Sequence, residues 1–114
     1  MMMRFDKLPE FEKELKRLAK KYKSLPDDLQ EFSNVISAVP LGNSKHFNII
    51  AQTDVFYIIK ARLFCRYLKG SSLRIIYAYF EQNQRIEFME LYHERDKENE
   101  NRDRIKEYLS NHQI

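Results

Sequence analysis

Apolar positions recur along this chain with two different periods, and the change falls near residue 40. In "LPEFEKELKRLAKKYKSL" (residues 8–25), Phe11, Leu15, Leu18 and Tyr22 are spaced 4, 3 and 4, which places them on one face of a helix. Pro9 suits its first turn, Glu10 and Glu12 the positive end of its dipole, and Lys20, Lys21 and Lys23 the other end. In "SLPDDLQEFSNVISAV" (24–39), Leu29, Phe32, Ile36 and Val39 repeat 3, 4 and 3. Ser24 is a candidate N-cap, with Pro26 near N1 and Asp27 and Asp28 in the first turn. The short link predicts an antiparallel helical hairpin, and Pro40 and Gly42 predict its end.

After a loop with an extended piece near 47–51, three segments are rich in β-branched and aromatic residues. They predict strands near 55–66, 73–80 and 85–92, joined by hairpins at "KGSS" and "EQNQ". A terminal helix is expected from about Lys97, capped by Asp96, with Ile105, Tyr108 and Leu109 as a small apolar face. Residues 2–6 are read as an added edge strand. The expected fold is α+β: an N-terminal αα-hairpin packed on a small, twisted, antiparallel-rich sheet, with a C-terminal helix. Leu15, Leu18, Leu29, Phe32, Ile36, Ala61 and Leu63 are expected in its core.

Alternation assigns the faces. Ile59, Ala61, Leu63 and Cys65 share one side of the first strand. Lys60, Arg62 and Arg66 share the other, interrupted by Phe64. Arg74 falls with Ile76, Ala78 and Phe80, and Met89, Leu91, His93 and Arg95 fall together. One face must cover the hairpin, so the other is expected to stay open and to carry a cationic strip.

Charge placement sharpens this picture. The net charge is only +3, yet residues 55–75 hold five cations (Lys60, Arg62, Arg66, Lys69 and Arg74) and no acid. Residues 76–114 hold six cations and nine acids. An acid-free strip reads as a phosphate-binding surface, because guanidinium groups keep their charge and bind phosphate oxygens in pairs. His93 and Arg95 lie together beyond the last strand, and an imidazole is suited to moving protons near neutrality. Tyr77, Tyr79 and Tyr92 are candidates to stack bases, although such tyrosines more often pack in a core. His46 stands in the loop and is given no role by the sequence. The lysines of the first helix read as a solvated outer face.

Length and composition exclude other classes. A chain of 114 residues is expected to form one domain that buries roughly two-thirds of its unfolded surface. No apolar run approaches the ~20 residues of a membrane span. The start "MMMRFDKL" carries no export signal, and the single cysteine, Cys65, cannot form an internal disulfide, so a cytoplasmic location is expected. Two glycines rule out a Gly-rich phosphate loop, and there is no zinc signature or Ser-His-Asp arrangement.

Three stretches, "FEKELKRLAKKYKSL", "KARLFCRYLKGSSLRIIYAYF" and "FMELYHERDKENENRDRIKEYL", together with the order of elements, resemble the RelE/ParE superfamily of type II toxins. The resemblance spans nearly the whole chain. It implies a compact toxin neutralised by a cognate antitoxin, without a cofactor. The RelE-like branch cleaves mRNA on the ribosome without a metal and so inhibits translation. The ParE-like branch inhibits DNA gyrase. The resemblance places Lys60 and Arg62 at the family's basic positions on the central strand, Arg74 at the one opening the next strand and Arg95 at the one beyond the last. Arg66 and Lys69 extend the RNA-binding set, and His93 is a candidate for proton transfer beside Arg74 and Arg95. The sequence departs from the RelE pattern at the tyrosine near the terminal helix. Asn101 stands at about that place, with Tyr92 and Tyr108 displaced. Three readings follow: a ribosome-dependent mRNA endonuclease, a gyrase inhibitor, and an inactive relative that binds RNA or an antitoxin.

Overall fold

The computed structural model describes residues 2–42 and 45–112. Strand β1 (Arg4–Lys7) is followed by helices α1 (Pro9–Lys21) and α2 (Leu25–Ala38). Strands β2 (Phe47–Gln52), β3 (Tyr57–Leu63), β4 (Leu73–Phe80) and β5 (Arg85–His93) follow, and helix α3 (Arg102–Asn111) ends the chain. The five strands form one sheet in the order β1-β5-β4-β3-β2. Only β1 runs parallel to its neighbour, so the expected edge strand exists, shifted to residues 4–7. No helix among the described residues is long and apolar enough to cross a membrane.

The helical hairpin covers one face of the sheet. Phe11, Leu18, Leu29, Phe32 and Ile36 pack against Ile59, Ala61, Leu63, Leu73, Ile75, Ile86 and Leu91. Phe11 stacks on Phe88 at 5.2 Å. Of the expected core residues only Leu15 is half-buried, at the margin of this layer.

The opposite face is not open along its whole length. Helix α3 lies over part of it, where Tyr108, Ile105 and Leu109 meet Phe56, Ile58, Ile76, Ala78, Phe80 and Met89. Two polar ties fix the helix. The Tyr108 hydroxyl donates to Glu87 at 2.6 Å. The Arg104 guanidinium grips both carboxylate oxygens of Glu14 at 3.1 and 3.0 Å and donates to the Met89 carbonyl at 2.9 Å. Glu14 also accepts the Leu91 N–H at 3.0 Å, so one carboxylate joins α1, β5 and α3.

Three boundaries differ from the sequence reading, each for a stated cause. Strand β3 starts at Tyr57, because the Thr53 hydroxyl accepts the N–H groups of Val55 and Phe56 and makes residues 53–56 a turn. It ends at Leu63, because the Arg66 N–H turns away to the carboxylate of Asp28 in α2. Helix α3 begins at Arg102, and its cap is Asn101, whose side chain accepts the Arg104 N–H at 3.0 Å. Asp96 instead sits in the turn after β5, its N–H bonded to the His93 carbonyl. Residues 97–100 cannot coil into a helix there, because the buried carboxylate of Glu90 holds both the Lys97 ammonium and the Asn101 N–H.

A bulge separates the two halves of β5. Ile76 of β4 faces Glu90, whereas Tyr77 faces Phe88, so Met89 is the extra residue. The expected sharing of a face by Met89 and Leu91 therefore fails. Met89 joins the core under α3, and Leu91 joins the core under the hairpin.

Candidate phosphate-binding site

On the face that α3 partly covers, facing residues form two rows, one over β3 to β5 and one over β2 to β5. Arg62 lies directly opposite Arg74, which lies opposite Tyr92. Asn48 lies opposite Lys60, Lys60 opposite Ile76, and Ile76 opposite Glu90. The Arg62 N–H bonds to the His46 carbonyl at 3.1 Å, which brings His46 to the end of the first row. Lys45, His46, Asn48, Lys60, Arg62 and Arg74 line a cavity of about 90 Å³. Its lining is polar and cationic, and its size suits one tetrahedral anion or a few waters.

The placement of two guanidinium groups opposite each other is unfavourable in itself, because like charges on facing strand positions repel. The strip is not free of acid in space, as its sequence implied. The Arg74 guanidinium bonds the Glu94 carboxylate at 2.7 Å and the Ser72 hydroxyl at 2.6 Å. The Lys60 ammonium donates to Glu100 at 2.9 Å. Arg62 is exposed and forms no ion pair among the described residues. One uncompensated guanidinium thus stands in the middle of the uncovered face, flanked by two cations held by carboxylates at its edge.

Tyr92 ends the first row. It is buried, and its ring lies under the Lys97 ammonium at 4.9 Å. Burial pushes its pKa up, and the nearby charge of Lys60 opposes that shift.

The remaining sequence candidates lie elsewhere. Arg66 is in the loop after β3 and bonds Asp28 through Nε at 3.1 Å, turned towards α2 rather than the cavity. Lys69 is exposed in the same loop. His93 is buried on the hairpin side of the sheet, against Tyr22 at 6.1 Å, with Nε2 3.1 Å from the Ser71 hydroxyl. Arg95 is exposed in the turn after β5 and is absent from the lining of the cavity. Lys60, Arg62 and Arg74 are therefore brought together, whereas Arg66, His93 and Arg95 do not join them. The sequence reading did not name Lys45 or Asn48, and it named His46 without giving it a role. The alternation of His46 and Asn48 about Phe47 was the available signal, once 47–52 is a strand. Among the described residues no three His, Cys, Asp or Glu side chains are grouped to hold a metal ion.

Ser24 does not cap α2 through its side chain; its hydroxyl donates instead to Asp28 at 2.6 Å. Burial alone would raise the Asp28 pKa, but donors from Ser24, Cys65 and Arg66 outweigh it and hold the carboxyl below its usual 3.8. A carboxyl depressed in the fold stabilises above its unfolded pKa and loses that contribution as pH falls through the folded value. Urea titrations should therefore show an acid loss of stability below about pH 4 that Asp28→Asn makes shallower. An unchanged acid limb in the variant would contradict this assignment.

No family model and no curated protein sequence matches the chain. Its fold is similar to that of a chain in the crystal structure of the archaeal RelE-RelB complex from Pyrococcus horikoshii OT3. The TM-score is 0.59 at 19% sequence identity, and the match covers 82% of this chain and 96% of that one.

Proposed function

We propose that this chain is the toxin of a type II toxin–antitoxin system, acting as a ribosome-dependent mRNA endonuclease. The fold shared with a chain of the RelE-RelB complex supports the toxin reading. The observation that carries the chemistry is the facing pair Arg62 and Arg74, with Lys60 beside them around an anion-sized cavity. When a ribose 2′-oxygen attacks the adjacent phosphorus, negative charge builds on the phosphoryl oxygens before the 5′-oxygen leaves. The products are a 2′,3′-cyclic phosphate and a 5′-hydroxyl. Guanidinium groups fixed before the reaction stabilise that charge without reorganising. Arg62 and Arg74 fill this role, Lys60 adds a point charge, and Arg95 engages the flanking backbone. His93, buried behind Ser71, is assigned no proton-transfer step. Primer extension on mRNA translated in a purified system tests the reading through ribosome-dependent cuts.

The carboxylates at the cavity's edge favour a second reading, in which the chain binds RNA or a protein target such as gyrase without cleaving. Glu100 separates the two. Its carboxyl is partly buried, which alone would raise its pKa, but the Lys60 hydrogen bond wins and lowers it. Glu100→Gln frees Lys60 and should tighten single-stranded RNA binding. It should also steepen the dependence of log affinity on log salt by about one phosphate contact. An unchanged slope would show that Lys60 does not contact phosphate.

The cognate antitoxin is expected to present carboxylates to the cations between residues 60 and 74, through a segment that is disordered alone. A groove of about 440 Å³ beside them, walled by Phe32, Val35, Phe47 and Phe64, supports this. It offers a largely apolar seat whose charged lining is Asp28, Glu31 and Arg62, so the partner's carboxylates are expected on the Arg62 side.

A further inference from the structure

We infer that a cleft next to the cationic cavity holds a nucleobase of the bound single strand, stacked on Phe64. This rests on the RNA reading above and names the part of the substrate that the phosphate-binding residues leave unaddressed. Phe64 is the first residue after β3, two positions from Arg62, and it is 67% exposed. It belongs to neither buried core and also borders the apolar groove that Arg62 lines. Together with Arg62 it lines a cleft of about 290 Å³. Ser71, Ser72 and Glu94 supply the polar wall, and Leu68 and Gly70 the rest.

The cleft has the two parts that recognition of a splayed base requires, an aromatic face and fixed polar groups. The polar groups are held from behind. Ser71 is in contact with His93 Nε2 at 3.1 Å, Ser72 accepts from Arg74, and Glu94 accepts the Ser72 N–H at 3.2 Å. Gly70, at φ +78°, lets the loop turn back to form the far wall, with open space where a side chain would stand. Arg62 lines both the cleft and the cationic cavity, so a nucleotide whose phosphate meets Arg62 has its base beside Phe64. This arrangement also buries His93 usefully, as the support of a wall of the cleft.

The test is fluorescence anisotropy at low salt with an end-labelled pentaribonucleotide and the same oligomer made abasic at its central position. The wild-type chain should bind the complete oligomer roughly 10- to 100-fold more tightly, the range expected for stacking one base on an aromatic side chain. Phe64→Ala should bring the complete oligomer down to the abasic affinity and leave the abasic affinity unchanged, whereas Phe64→Trp should keep the preference. Both variants should keep the urea midpoint, since the ring is exposed. A base preference that survives Phe64→Ala overturns the inference. So does a wild-type chain that binds the two oligomers equally, in which case the phosphate-binding reading stands alone. A Phe64→Ala chain that keeps RNA binding but loses a protein partner assigns the ring to that partner and overturns it as well. Arg62→Ala should weaken both oligomers alike. If neither oligomer binds the wild-type chain, the cleft holds no base of a single strand and the inference falls, whereas the RNA reading is decided by the ribosome-dependent cuts.

Discussion

Arg62→Ala is expected to lower mRNA cleavage by roughly 100- to 1000-fold, the cost of losing one prepositioned donor to a transition-state oxyanion. Stability should stay within about 0.5 kcal/mol of wild type or rise slightly. The two outcomes share a cause. Arg62 is exposed and faces Arg74 across the strand pair, so its removal leaves no buried group unpaired and relieves a like-charge contact. Arg74→Ala should damage cleavage as much but also cost some stability, because Glu94 and Ser72 lose a partner. Single-turnover cleavage and urea midpoints on the same preparations measure both. Equal rates for wild type and Arg62→Ala would remove this residue from the chemistry.

Glu14→Ala is expected to produce the largest structural effect, about 2 kcal/mol of lost stability, below the range for a fully buried ion pair because both side chains are only partly buried. The Arg104 guanidinium would keep only the Met89 carbonyl, and the Leu91 N–H at the bulge would lose its acceptor. Because a domain of this size has roughly 5–15 kcal/mol in hand, the variant should fold but melt earlier. Its α3 should exchange amide protons faster than α2, since the lost tie is the one from α3 to α1. A uniform loss of protection across the chain would show that Glu14 supports the fold as a whole rather than the docking of α3.

What the sequence made legible is what local pattern determines. The spacing of Phe11, Leu18, Leu29, Phe32 and Ile36 identified the buried side of the hairpin. Alternation placed Lys60 and Arg62 on the side away from it and put Arg74 with Ile76, Ala78 and Phe80, as found. What it did not show depends on partners distant in the chain. The acid-free run from 55 to 75 looked unpaired because its carboxylates come from Glu94, Glu100 and Asp28, the last two 40 and 38 residues from their cations. Asp96 and Asn101 are equally good caps by composition, and the buried Glu90 decided between them. Nothing in "EFMELYH" marks the bulge at Met89, so the faces of the residues after it were misassigned by one step. His46 entered the site only through the pairing of β2 with β3.

If the cations on the sheet face beside α3 act on the backbone of a translated message, cleavage depends on both Arg62 and the ribosome. The most direct measurement maps new 5′ ends on an mRNA translated in a purified system with the wild-type chain, with Arg62→Ala, and without ribosomes. The account predicts cuts with wild type that require ribosomes, carry 5′-hydroxyl ends and nearly vanish with Arg62→Ala. Intact message with wild-type protein, together with inhibition of DNA gyrase by the same preparation, would contradict it.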